Sequence, residues 1–166
     1  MMRALHVQID APPYVLADRL ALKFLPWQQR VFVTRQPRWS RVANRYFGMP
    51  MIRAMRSQIV VRSRYAEDCL AELRLAGAER YVILGAGLDT FALRQPDPEI
   101  SVLEIDHPST QQYKRRKMSR LGIATPPCLT FLAIDFEKDQ LSERWPVSGK
   151  VDFISWLGVS YYLSSE

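Results

Sequence analysis

Histidine and cysteine are almost missing from this chain: among 166 residues there are two of each, His6 and His107, Cys69 and Cys128. So small a set, without ligand spacing, excludes a Cys/His zinc site. With no CxxC pair, the cysteines read as buried, reduced thiols in a cytoplasmic protein rather than as a disulfide. Long apolar runs are missing too. No stretch of 18 apolar residues occurs, so neither a membrane span nor a membrane partner is expected. Met1 to Pro13 carries Arg3, His6 and Asp10 and no continuous apolar block, so no signal peptide is expected. Acidic residues are scarce in the first 64 positions, which hold 2 Asp and Glu against 12 Lys and Arg; the rest of the chain holds 15 against 11. A basic arm of this kind fits nucleic acid or an acidic partner. Here the arginines alternate with apolar residues at helical spacing and no aromatic stacking platform accompanies them. Solvated helix faces are the preferred reading, and no nucleic-acid partner is expected.

What is present is enough apolar material, 48% of residues, for one sizeable core. A single domain over 1–166 is expected, with an N-terminal helical part (1–77) and the first four strands of a sheet (78–166). In the first part, Pro26, Pro37 and Pro50 punctuate helices. Tyr14 to Leu25 has an amphipathic pattern, and Met51 to Leu75 reads as a long helical segment, one helix or two, stopped at Gly77. The pattern then changes to short apolar runs: Tyr81 to Leu84, Ile100 to Ile105, Leu129 to Ile134 and Val151 to Leu157. These read as buried parallel strands. A helix opening at Pro108 and closing at Gly122 separates the second from the third, and Phe136 to Trp145 leaves room only for a short one. Strands interleaved with helices give an α/β, Rossmann-like parallel sheet, incomplete at the C-terminus.

In such sheets ligands sit beyond the carboxyl ends of the strands. Three successive strands end here in Gly85-Ala86-Gly87, Asp106 and Asp135. The glycines let the backbone turn tightly and approach a ligand closely. Asp106 is placed to accept from a ribose diol, Asp135 from the exocyclic amine of adenine, and Phe136 to cover the ring. A dinucleotide fingerprint needs a third glycine where Thr90 stands, and Asp89 would bring negative charge to a diphosphate. Both count against an NAD-dependent oxidoreductase and are tolerated by a sulfonium nucleoside, which carries no phosphate.

Leu84-Gly85-Ala86-Gly87-Leu88-Asp89-Thr90, Glu104-Ile105-Asp106-His107-Pro108 and Ile134-Asp135-Phe136 resemble the leucine carboxyl methyltransferase family. That family includes protein phosphatase methyltransferases and many bacterial O-methyltransferases, some linked to polyketide biosynthesis. Arg62 to Asp68 is similar to its arginine-bearing helix motif, and Trp156 to Leu163 to the segment after its fourth strand. The resemblance covers roughly residues 60–163. It implies S-adenosyl-L-methionine as cofactor: Arg64 on the methionine carboxylate, Gly85, Ala86 and Gly87 along methionine and ribose, Asp106 on the ribose hydroxyls, Asp135 and Phe136 at adenine. It also implies methyl transfer to a carboxylate or hydroxyl of a small-molecule or protein acceptor. No general base stands out, so no catalytic residue is assigned. Leu157 stands where some members carry glutamate.

Members of that family continue for several strands beyond the position of Glu166. The chain is therefore expected to be C-terminally truncated, with its fourth strand an exposed edge open to self-association. A non-catalytic interaction module using the basic arm is the other class weighed. Of the remaining residues, Asp89 reads as the start of a helix, His107 as structural and Trp156 as core. Tyr161 and Tyr162 fit either pocket or core.

Overall fold

A computed structural model describes residues 1–35, 50–94, 97–145 and 150–159. They fall into two compact units, Met1–Glu67 and Asp68–Glu166. The division lies within one long helix, α4 (Pro50–Leu75), whose predecessors are α1 (Met2–Ile9), α2 (Leu20–Phe24) and α3 (Trp27–Thr34). The amphipathic stretch from Tyr14 is helical only from Leu20 onward, which corrects the longer helix expected from its periodicity. Asp18 sets the start: it is fully buried and its Oδ1 accepts the Ala21 N–H at 3.0 Å. Ala4, Leu5, Leu25 and Val33 form the small core of this unit.

Pro50 opens α4, where its missing N–H costs nothing. Its end is a Schellman arrangement: Gly77 N–H donates to Arg74 C=O and Ala78 N–H to Leu73 C=O. The chain then enters β1 (Arg80–Leu84), followed by α5 (Phe91–Arg94), β2 (Ser101–Asp106), α6 (Pro108–Arg120), β3 (Leu129–Ala133), α7 (Leu141–Arg144) and β4 (Phe153–Trp156). All four strands are parallel, in the order β3-β2-β1-β4. The sheet with its interleaved helices is a Rossmann-like α/β fold.

Side-chain alternation with period two divides the sheet into two cores. Tyr81, Ile83, Val102 and Leu129 pack on one face with Leu70, Phe91 and Ala92; Val82, Leu103, Ile105 and Ile134 pack on the other. Each such buried side chain contributes on the order of 1.5–3 kcal/mol. Tyr81 meets Phe91 edge-on at 5.3 Å, and its hydroxyl pairs with Ser155 Oγ at 2.8 Å. Asp152 joins β4 to the start of β1, accepting the N–H groups of Glu79 (2.9 Å) and Arg80 (3.1 Å). These bonds, the Glu79 one foremost, hold its carboxyl below the usual aspartate range.

Two expectations about burial are corrected. Trp156 is 56% exposed and Ile154 49%; both lie on the same face of β4, the edge strand of the described sheet. Cys69 and Cys128 are free thiols, but half-buried rather than buried. No helix among the described residues is long and apolar enough to cross a membrane.

Candidate functional site

The strand order changes direction at β1: β2 and β3 extend to one side, β4 to the other. The loops leaving the carboxyl ends diverge there and leave a cleft. It measures about 390 Å³ and lies wholly within the second unit. Each strand contributes to its wall. Gly85 and Gly87 come from the loop after β1, and Asp106, His107 and Thr110 from the end of β2 and first turn of α6. Asp135, Phe136 and Glu137 follow β3; Gly158 and Val159 follow β4.

The glycine loop is shaped by backbone requirements. Gly85 and Gly87 have φ of +65° and +53°, left-handed values that cost an L-residue with a side chain about 1–2 kcal/mol. At Gly85 a Cβ would also overlap the Val159 side chain. The N–H groups of Gly85 and Ala86 both donate to Ile105 C=O, at 2.8 and 3.2 Å. Gly87 N–H donates to Asp106 Oδ2. Asp89 accepts the Phe91 N–H at 2.7 Å and so starts α5, as its position suggested.

Asp106 is not the cap of α6. His107 is: its Nδ1 accepts the Ser109 N–H at 3.3 Å and pairs with Ser109 Oγ at 2.7 Å. In the neutral ring Nε2 then carries the proton, and it faces Asp135 Oδ2 at 3.6 Å. Asp106 Oδ1 accepts the His107 N–H at 2.6 Å. Asp135 Oδ1 accepts the Glu137 N–H at 3.2 Å, and Lys138 lies 3.2 Å from Oδ2. The Glu137 bond first, then Lys138 and His107, hold the Asp135 carboxyl below its ordinary range, so it is an anion throughout the neutral region.

Five of the residues singled out by sequence thus meet at one cleft: Gly85, Gly87, Asp106, Asp135 and Phe136. Ala86 does not line it; its side chain is buried in the core with Tyr81 and Phe91. Arg64 is exposed on α4 in the first unit. Tyr161 and Tyr162 lie outside the described residues. Sequence reasoning missed Thr110, Glu137, Gly158 and Val159 as lining residues, and read His107 as structural alone. The signal for Thr110 was its place in the first turn after Asp106; for Val159, its place just after a strand-ending glycine.

Comparison with known proteins bears on this geometry. The sequence is 42% identical over 113 residues to a Bacillus subtilis protein described as "Putative S-adenosyl-L-methionine-dependent methyltransferase YktD", covering 64% of this chain and 37% of that protein. Proteins of the same description from Mycobacterium marinum and Mycolicibacterium paratuberculosis are 35% and 36% identical over 91 and 86 residues. Those matches cover 54% and 51% of this chain and 26% and 28% of the relatives. The chain therefore matches between 26% and 37% of the length of these proteins. The family model described as leucine carboxyl methyltransferase matches residues 1–166. With the whole chain matched, this protein belongs to the leucine carboxyl methyltransferase family.

Proposed function

We propose that this chain carries the cofactor-binding part of an S-adenosyl-L-methionine-dependent methyltransferase acting on a carboxylate or hydroxyl oxygen. The observation that supports it is the convergence of Gly87, Asp106 and Asp135 on one cleft. Its volume lies within the range of small-molecule sites, roughly 300–1,000 Å³.

The residues present fit such a cofactor. Among the described residues, those lining the cleft include three carboxylates and the Phe136 ring, and no lysine or arginine. An uncharged ribose and adenine need acceptors and an apolar face; a diphosphate needs cations or open amides. The first amide of α5 is already taken by Asp89. This balance speaks against a dinucleotide.

In this reading Asp106, with each oxygen already held by a backbone N–H, uses its remaining lone pairs for the two ribose hydroxyls. Gly85 and Gly87 admit the ligand close to the main chain. Asp135, kept anionic, accepts from the exocyclic amine, and Phe136 covers the base. Arg64 is assigned to the cofactor's carboxylate on family resemblance, as a charge-assisted pair. The bound cofactor supplies an electrophilic methyl group on a sulfonium. The chain's part is to hold and align the reacting centres, the larger share of catalysis in such transfers. A carboxylate acceptor is already ionised at neutral pH and needs no base, whereas a hydroxyl acceptor does. The free thiols Cys69 and Cys128 suit a cytoplasmic setting.

Titration calorimetry of the full chain with S-adenosylmethionine, S-adenosylhomocysteine and NAD tests the cofactor. Binding of both sulfur nucleosides and not of NAD is expected; absence of nucleoside binding ends the proposal. The acceptor class is read from any methylated product: alkali releases methanol from an ester and leaves an ether intact.

A further inference from the structure

One ion pair in the sheet lies away from solvent and outside the cleft. Glu104, in the middle of β2, and Lys114, on α6, are each 1% exposed. Lys114 Nζ lies 2.5 Å from Glu104 Oε2 and also donates to the backbone carbonyl of Asp89 at 2.5 Å. Around them are Ile83 and Phe131, the strand neighbours of Glu104, and the Phe131 ring lies 5.8 Å from Nζ. Glu104 Oε1 is buried without a hydrogen-bond partner among the described residues. A charged pair in such a place is a poor source of stability, since desolvation consumes most of its attraction. Its value must lie in what it holds.

What it holds is the frame of the cleft. Asp89 follows Gly87 by two positions, and Asp106 follows Glu104 by two positions on the same face of β2. Gly87 is hydrogen-bonded to Asp106. The ammonium of Lys114 therefore ties the far end of the glycine loop to the strand that carries Asp106, closing a ring through Gly87, Asp89, Lys114, Glu104 and Asp106. Gln111, one turn earlier on α6, adds a contact to Glu104 C=O at 3.5 Å.

We infer that Lys114 and Glu104 are positioning residues, whose buried pair fixes the glycine loop against Asp106 in the geometry that receives the nucleoside. Only the ligand arm of the test rests on the proposed function.

The experiment uses the full chain and three proteins: wild type, Lys114→Met, and the apolar double variant Glu104→Met with Lys114→Leu. The double variant removes the tie without stranding a buried charge, so it folds even if the single variant does not. Hydrogen exchange at the Gly87 amide is read beside global stability in urea. Gly87 exchange is expected to accelerate about tenfold in the double variant while its global stability matches or exceeds wild type, the scale of one lost charge-assisted bond. The dissociation constant for S-adenosylhomocysteine is expected to rise by about the same factor. A double variant with wild-type Gly87 protection overturns the inference, whatever its ligand affinity. Failure of wild type to bind the nucleoside sinks the proposed function and leaves the exchange result to decide the inference.

Discussion

Gly87 and Asp106, nineteen positions apart, are joined by a hydrogen bond from a backbone N–H to a carboxylate oxygen. The turn after β1 and the tip of β2 are therefore one structural unit, and changes at either should be felt at both.

Asp106→Ala is expected to leave the sheet folded and to weaken S-adenosylhomocysteine binding by roughly 10- to 100-fold, the scale of lost hydrogen bonds to a charged group. Calorimetry measures it. An unchanged dissociation constant removes Asp106 from the site.

The two glycines should respond differently to alanine. Gly87→Ala carries the left-handed backbone cost alone, about 1–2 kcal/mol, since the nearest atom to its new Cβ is Asp106 Oδ2 at 4.0 Å. Gly85→Ala adds the overlap with Val159. Urea midpoints should rank wild type above Gly87→Ala, and Gly87→Ala above Gly85→Ala.

Burial raises the Glu104 carboxyl to about 7 against the opposing pull of Lys114. Between 4.5 and about 7 the folded chain then binds a proton that the unfolded chain has already lost. Stability from this group is complete below 4.5 and declines as pH rises to about 7. Asp135 and Asp152, both shifted downward, are ionised in folded and unfolded chains across that window and do not mask it. Urea unfolding at several pH values should show the decline, with a shallower slope in Glu104→Gln. Equal slopes would refute the assignment.

β4, the edge of the described sheet, exposes Ile154 and Trp156. Copies of the chain are expected to associate as concentration rises. Light scattering should detect this in wild type and much less in Ile154→Lys.

Legibility from sequence followed what each residue had to do. Strand ends could be read because three successive apolar runs close in glycine or aspartate at the end of the sheet where ligands sit, and Gly85, Gly87, Asp106 and Asp135 line one cleft there. The helix of α4 was legible because apolar spacing, Pro50 and Gly77 agreed. The stretch from Tyr14 was not, because periodicity says nothing about Asp18 turning its carboxylate onto the Ala21 N–H. Trp156 deceived for another reason: an apolar strand looks the same whether or not both of its faces are covered. Glu104 was legible only as part of the motif that runs through Asp106 to Pro108. Its partner ten residues on became evident only when α6 was laid across the sheet.

The contact between Gly85 and Val159 has a consequence for synthesis. The cleft residues up to Glu137 leave the ribosome before Gly158 and Val159, which complete the wall only when β4 docks beside β1. Bringing such distant segments together is slow compared with forming α4 or α6. A nascent chain halted before position 159 would carry the other lining residues of the cleft without the wall that Val159 supplies.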